Sequence, residues 1–381
     1  MQKKINFLFI CTHPIQNLIP VFVELSSEKK INFTVLYWQK LKKNYFDKEF
    51  FQKINFKLNL YNNYNYINLS NTTNTTPVID IYFQLRVFIN TIKVLLFKKF
   101  DCILFYEYKF CHCLLIIFCK FLGKKIIIRS VSYNLGKRNI IKNLIRNFYY
   151  RFINLFIDEF WSISYLNTQF FMSFGVKSKD IKKINSSQVN YKDLKETINK
   201  DIEKLSNKKI ILFCGKLINK KNPFLLLKSF QKVKNKKNWV LIFAGNGNLY
   251  LKMKKYIEHH RINDVILLGF QNQSQLKYLY RKSEILILPS TFGETHGNVL
   301  IESLYFGLAL IVSNRVGLYP EIKKKKIGYV FNLNEKNLTN KINLMIKNKK
   351  IRKQFQRNAL NNWKYWSSQH VAKKILHFLN N

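Results

Sequence analysis

Two glutamates, Glu294 and Glu302, stand eight residues apart in TFGETHGNVLIESLYFG, where an apolar segment gives way to a helical pattern. Carboxylates are scarce in this chain, with 21 Asp plus Glu against 65 Lys plus Arg. Glu302 falls about one turn into the predicted helix, on the face shared with Asn298. A carboxylate there can accept hydrogen bonds from ribose hydroxyls, while Glu294, in the loop, can meet the hydroxyls of a sugar. The amides of Gly297, Asn298 and Val299 open the helix without intrahelical partners and can hold phosphate oxygens. A glutamate beside a diphosphate is electrostatically unfavourable unless it binds hydroxyls, and that requirement points to a sugar. The bland alternative is that both glutamates are simply solvated.

Two more loops offer matching chemistry. GKLINKKNP places Gly215 beside Lys216, with Lys221 five residues on, so that a backbone free of side chain and two cations could clasp a diphosphate. Gly245-Asn246-Gly247 forms a turn ahead of a helical pattern, a place for anion or ribose contact. Taken singly, either glycine pair also reads as an ordinary strand-to-helix turn.

Each of these loops follows a strand-like run. KIILFCG, WVLIFAG, DVILLGF, EILILPS and LALIVSN alternate with helical patterns near 223–236, 249–260, 274–282 and 297–306. Continuous apolar runs alternating with helices of this length predict a parallel, doubly wound sheet, with ligands at the carboxyl ends of the strands. The first half alternates in the same way: INFLFICT, a helix over 18–27, INFTVLYW, DCILFYE, an apolar helix over 109–122, KKIIIRS, a long helix over 138–157 and FWSIS. The chain therefore reads as an N-terminal Rossmann-like domain over 1–190, a charged linker over 191–207, a C-terminal Rossmann-like domain over 208–365 and a terminal helix over 366–381 that could pack back on either domain, the N-terminal one foremost. The fold class is α/β, with two doubly wound domains facing a cleft.

Composition narrows the partners. Hydrophobic residues at 47% and charged residues at 23% describe a globular chain, which excludes disorder. The formal charge of +44 predicts attraction to anionic surfaces, although an AT-rich coding sequence also raises lysine. A nucleic-acid-binding protein is the alternative this charge suggests. No aromatic-basic module is present, however, and the charge is spread through both halves, so no nucleic acid is expected. The six cysteines, at 11, 102, 111, 113, 119 and 214, show no disulfide spacing and read as reduced thiols. Cys111-His112-Cys113 with Cys119 lacks a second paired half for zinc. No targeting or membrane-spanning segment is read: the longest apolar stretch, 102–123, carries Glu107, Lys109, His112 and Lys120. The sequons at 68–76 read as a polar loop.

The segment from 291 to 314 resembles the signature of glycosyltransferase family 4 (glycosyl transferases group 1), glutamate, seven residues, glutamate, in its GETWG-like form. Gly215-Lys216-Leu217 with Lys221-Asn222-Pro223, FAGNGNL, LGFQNQSQLKYLYRKSEILILPS and GLALIVSNRVG follow in that family's order. THPIQNLIPVFVEL and ISYLNTQFFMSFGVKSKDIKKINSSQVN are similar more loosely. The resemblance implies a GT-B fold and retaining transfer of a sugar from a nucleotide-diphosphate donor, with no cofactor and no metal because cationic side chains and helix dipoles hold the leaving diphosphate. It implies that Lys216 and Lys221 neutralise phosphates, Glu294 orients the donor sugar and Glu302 holds the ribose. Gly215, Gly245, Gly247, Phe270, His296, Gly297, Asn298 and Val299 complete the donor set. Lys216 stands where arginine is usual and loses its bidentate fork. His296 stands at the motif's common aromatic position.

The N-terminal domain is expected to bind the acceptor, a glycan or lipid-linked glycan of cell-surface polysaccharide or lipopolysaccharide synthesis. Where many members have a histidine, this chain reads FYEYKF, which brings Glu107 or Tyr108 there. His13, after the first strand, is the other candidate for a catalytic side chain, and Arg129, ending KIIIR, is placed on the acceptor side. Without that histidine, an inactive glycosyltransferase-like scaffold stays a second alternative. Arg138, Lys142 and Arg146 recur every four residues beside Ile141, Leu144, Ile145, Phe148 and Phe152. This pattern fits a helix lying on an anionic membrane, or a domain helix with a solvated charged face. The expected location is cytoplasmic, peripheral on the inner face of the plasma membrane.

Overall fold

The computed structural model describes residues 4–40, 44–47, 52–55, 60–70, 81–134, 139–187, 191–192, 194–205 and 207–380. Contacts divide the chain into two compact units, Met1–Asn44 with Asn55–Val189 and Trp366–Asn381, and Tyr45–Ile54 with Asn190–Tyr365. Each is built on its own parallel sheet.

The first half runs β1 (Ile5–Cys11), α1 (Ile19–Ser26), β2 (Ile31–Tyr37), a separate ribbon of β3 (Asn44–Asp47) and β4 (Gln52–Asn55), then β5 (Tyr66–Asn68) and α2 (Ile81–Phe97). It continues through β6 (Cys102–Tyr106), α3 (Phe110–Phe121), β7 (Lys125–Ser130), α4 (Ile140–Asn154), β8 (Glu159–Ser162), α5 (Tyr165–Ser173) and β9 (Ile181–Lys183). The sheet order is β5-β2-β1-β6-β7-β8-β9, with β1 parallel to both β2 and β6. Because side chains alternate along a strand, β1 serves two cores. Leu8 and Ile10 join α2, α3 and α4 on one face of the sheet, and Phe7, Phe9 and Cys11 pack on the other with α1.

The second half begins with α6 (Lys200–Glu203) and runs β10 (Lys209–Cys214), α7 (Pro223–Gln231), β11 (Trp239–Ala244), α8 (Tyr250–His259), β12 (Val265–Gly269), α9 (Gln273–Lys282) and β13 (Ser283–Leu288). It closes with α10 (Asn298–Tyr305), β14 (Ala309–Ser313), α11 (Tyr319–Lys324), β15 (Gly328–Phe331), α12 (Glu335–Lys347) and α13 (Lys349–Asn362). The order β12-β11-β10-β13-β14-β15 makes the chain turn back between β10 and β13. That reversal opens a crevice at the carboxyl ends of the strands. Local signals set the helix starts: Pro223 at the first position of α7, and a reciprocal capping box between Asn272 and Gln275 on α9.

One boundary differs from the sequence reading. Residues 191–205 fall within the second unit, where a free linker was expected. Lys277 Nζ donates to the Leu194 carbonyl at 2.7 Å, Thr197 N donates to the Ser274 carbonyl at 3.1 Å, and Arg281 holds both oxygens of Glu196 at 2.9 and 2.5 Å. An extended strap held by polar contacts along α9 carries no helical periodicity, so its sequence looks like a linker. The terminal helix α14 (Ser368–Asn380) belongs to the first unit, where Val371, Ala372, Ile375 and Leu379 pack against α1. Burying such apolar side chains contributes about 1.5–3 kcal/mol for each large one.

Candidate active site

In the second unit the loops after β10 and β13 flank the crevice. Lys221 comes from the first and Glu294 from the second, and the Lys221 ammonium is paired with the Glu294 carboxylate. Both side chains are largely buried, at 18% and 12% exposure. Two further bonds lock the loops together, since Thr291 donates to the Lys220 carbonyl through its amide at 2.9 Å and its hydroxyl at 3.1 Å. Ser290 Oγ adds a 3.3 Å bond to the Glu294 carboxylate. The Glu294 backbone is pinned as well, by a bridge to Val316 and by the Gly317 amide at 2.8 Å. The carboxylate is therefore held in place with an ammonium beside it.

The glycines divide into two kinds. A Cβ on Gly245 would lie 1.8 Å from the Gly215 carbonyl oxygen, and one on Gly247 would lie 2.5 Å from the Leu217 carbonyl oxygen. These two positions need glycine for the backbone-to-backbone packing of neighbouring loops. Leu217 N to Asn246 O and Leu249 N to Leu217 O, both 2.9 Å, complete that packing. At Gly215 a Cβ would meet only Lys221 Cε, at 4.0 Å, so the space beside Lys221 stays open. Lys216 is half-buried on the same loop.

On α10, Glu302 is buried and its Oε2 accepts hydrogen bonds from Tyr191 at 3.0 Å and Tyr280 at 2.9 Å. The solvated alternative for this glutamate is thereby excluded. Burial raises its pKa to about 7, against the lowering effect of the two phenols. The turn ahead of α10 places Gly297 at φ 79°, with Asn298 exposed, Val299 half-buried and His296 buried. Phe270, after β12, is half-buried. Tyr191 and Tyr280 were missed in the sequence. One lies in the apparent linker and the other reads as a core position of α9, and nothing in their spacing points to Glu302.

The first unit has its own chain reversal, between β1 and β6. His13 follows β1, with Nδ1 2.9 Å from Thr12 Oγ1, and burial followed by the charge of Lys109 lowers its pKa. After β6, Glu107 adopts φ 74°, a conformation uncommon for a residue with a side chain. Its carbonyl accepts a 2.8 Å bond from Nδ1 of buried His112, whose pKa burial lowers to about 4. Its carboxylate accepts from Val131 N at 2.7 Å, Ser130 Oγ at 3.0 Å and Ser132 Oγ at 3.2 Å, while burial raises its pKa. Tyr108 is a correction. Its ring packs against Tyr150, Phe170 and Phe171 and its hydroxyl donates to Asn154, so its side chain belongs to the core. Arg129 is buried, donating from Nη2 to the Asn185 carbonyl at 3.0 Å, and among the described residues its Nε and Nη1 meet no acceptor. All six cysteines are buried free thiols.

Residues 195–362 match the family model described as Glycosyl transferases group 1. An uncharacterized glycosyltransferase of Methanocaldococcus jannaschii is 32% identical over 130 residues, covering 32% of this chain and 31% of its own. A Campylobacter jejuni relative is 30% identical over 171 residues, covering 44% of this chain and 46% of its own. Its name specifies α-1,4-N-acetyl-D-galactosaminyl transfer and a GalNAc-containing glycan on diphosphoundecaprenol. The chain thus spans less than half the length of these relatives. HepE of Anabaena, in complex with UDP, superposes with a TM-score of 0.69 at 15% identity, covering 99% of this chain and 100% of that one. Likeness at that identity shows the fold, which is α/β GT-B with two Rossmann-like sheets.

Proposed function

We propose that this protein is a retaining glycosyltransferase that moves a sugar from a nucleotide-diphosphate donor to a glycan or lipid-linked acceptor. The observation that carries the reading is the buried Lys221–Glu294 pair at the chain reversal of the second sheet, with the open space of Gly215 beside it. In the proposed mechanism Lys221 and Lys216 take the charge of the diphosphate, so that the leaving group departs without a metal. Glu294, released from Lys221 by the arriving phosphates, accepts hydrogen bonds from the donor sugar's hydroxyls. The ionised Glu302 accepts the ribose hydroxyls. His13 and Glu107 in the first unit are assigned to the acceptor hydroxyl. Binding at the phosphates positions the donor, and hydrogen bonds that strengthen as charge develops lower the barrier.

The Campylobacter relative's name supports a diphospholipid-linked glycan as the class of acceptor. The UDP in the Anabaena complex supports a uridine nucleotide as the first donor to try. Among the described residues no helix is long and apolar enough to cross a membrane. We assign the reaction to the cytoplasmic face of a membrane, in cell-surface polysaccharide synthesis. A thermal-shift screen with UDP-, GDP-, ADP- and CMP-sugars tests the donor site, because a ligand that binds only the folded state raises the midpoint. One nucleotide class is expected to stabilise the protein. No response to any class, together with tight salt-sensitive RNA binding, would overturn the reading.

A further inference from the structure

The helix α4 is turned the opposite way from an ordinary domain helix. Among its apolar side chains only Ile153 is buried, while Ile141, Leu144, Ile145 and Phe148 all project into solvent, Phe148 at 74% exposure. Successive residues on a helix are separated by about 100°, so these four share one arc, with Ile153 on the opposite side. The charged residues of this helix divide, with Lys142 and Arg151 exposed and Arg146 turned inward. Arg146 lies against the rings of Tyr150, Phe170 and Phe174 on the core side.

Exposed apolar side chains continue on the outer faces of the neighbouring helices. α2, α3 and α4 lie side by side on one face of the first sheet, over a shared core. From α3, Phe110 and Phe121 are exposed, Phe121 at 82%. From α2, Leu85, Leu96 and Phe97 are exposed, Phe97 at 86%. Single exposed apolar residues are normal on a protein surface, whereas many large ones on three adjacent helices mark an interaction site. Charge identifies the occupant. The three helices contain no Asp or Glu, and Lys93 and Lys142 stand exposed among the apolar side chains, with Lys98 and Lys99 exposed just beyond α2.

We propose that the outer face of α2, α3 and α4 docks on an anionic lipid bilayer, with its apolar side chains in the headgroup boundary and its lysines among the lipid phosphates. The proposal rests on the reading of a lipid-linked acceptor, and its test is independent of sugar transfer. A surface of this composition holds the protein at the membrane without a spanning segment, where a diphospholipid-linked glycan is presented.

Flotation of the full chain with phosphatidylcholine vesicles, with and without phosphatidylglycerol, measures the docking directly. Wild type is expected to float with the anionic vesicles, less with neutral ones, and less in high salt. The double variant Ile145→Glu with Phe148→Glu is expected to lose about tenfold or more in partitioning. Leu251→Glu, an exposed substitution on α8, is expected to float like wild type. An unchanged melting midpoint and an unchanged shift with nucleotide establish that the variants are folded. Equal flotation of the double variant and wild type overturns the proposal. So does a concentration-dependent dimer that the same two substitutions abolish without any vesicle binding, because the face would then belong to a second copy. A nucleotide shift without flotation removes this proposal alone, and flotation without any nucleotide shift removes the donor-site reading alone.

Discussion

The Lys221 ammonium and the Glu294 carboxylate, separated by 73 residues in sequence, form a largely buried ion pair across the chain reversal of the second sheet. The pair makes the two loops interdependent. Under the proposed donor binding, phosphate oxygens that reach Lys221 would compete with Glu294, and the displaced carboxylate would become available to sugar hydroxyls.

This competition predicts opposite effects of two substitutions. Glu294→Gln removes the competitor, so the nucleoside diphosphate alone is expected to bind as tightly as in wild type or more tightly, while transfer falls by about a hundredfold or more. Lys221→Ala is expected to weaken diphosphate binding and to cost about 3–5 kcal/mol of stability, because it leaves a buried carboxylate unpaired. Calorimetric titration with UDP, beside turnover and melting measurements, separates the two. Weaker UDP binding by Glu294→Gln would show that the pair does not compete with phosphate.

Glu302 gives the site a pH dependence. Its folded pKa of about 7 lies above the ordinary carboxylate value of 4.5, so the folded state holds the proton more tightly. Stability from this group is present below the unfolded value and declines as pH rises towards about 7. Under the proposed role of Glu302 ligand binding runs the other way, since ribose hydroxyls would donate to the ionised form. Nucleotide affinity is expected to rise about tenfold between roughly pH 6 and pH 8. Glu302→Gln is expected to remove that slope, which separates the carboxylate from the nucleotide's own phosphate. Tyr280→Phe, with one donor lost, is expected to move the slope to higher pH.

The fold was legible because continuous apolar runs such as KIILFC and INFLFIC have few other uses than a buried parallel strand. The candidate site was legible in part as positions, because Lys221, Glu294 and Glu302 sit at strand ends and a helix start that the pattern already located. What remained hidden depends on distance in sequence or on direction in space. Tyr191 meets Glu302 across 111 residues. Tyr108 follows its strand as expected, yet its ring turns into the core, and periodicity alone does not decide which way one side chain after a strand will face. The α4 pattern showed an apolar arc and a basic one but not which of them was outward. Arg138, counted on its basic arc, lies outside the described residues.

Gly245 tests the meaning assigned to the glycine loops. A methyl group there would overlap the Gly215 carbonyl oxygen at 1.8 Å, so Gly245→Ala must push the two loops apart. The expected result is a loss of about 1–3 kcal/mol in stability together with loss of nucleotide binding, since Lys216 rides on the displaced loop. Gly215→Ala meets nothing closer than Lys221 Cε, so its cost is confined to the backbone strain of a side chain at φ 144° and is expected to be smaller than that of Gly245→Ala, while it still weakens the donor. Equal melting midpoints for the two variants would refute the distinction.

Metal independence has a direct check. If Lys216 and Lys221 hold the leaving diphosphate, turnover in the presence of EDTA is expected to match turnover with added magnesium or manganese. A requirement for either ion would mean that these cations are not sufficient.

Glu107 carries the prediction for the first unit. Its left-handed backbone is held from two sides, by the His112 bond to its carbonyl and by three donors from residues 130–132 to its carboxylate. Glu107→Gly relieves the backbone but removes the carboxylate. Glu107→Gln keeps a side-chain acceptor in the strained conformation but removes the charge. If the carboxylate acts on the acceptor, both variants are expected to lose turnover by about a hundredfold with nucleotide binding intact. If it only fixes the 130–132 loop, Glu107→Gln is expected to keep most of the turnover, because its amide oxygen still accepts from Val131. Turnover across pH, measured with nucleotide saturating, decides between these outcomes. The acceptor role requires a limb that Glu107→Gln abolishes and His13→Ala leaves in place.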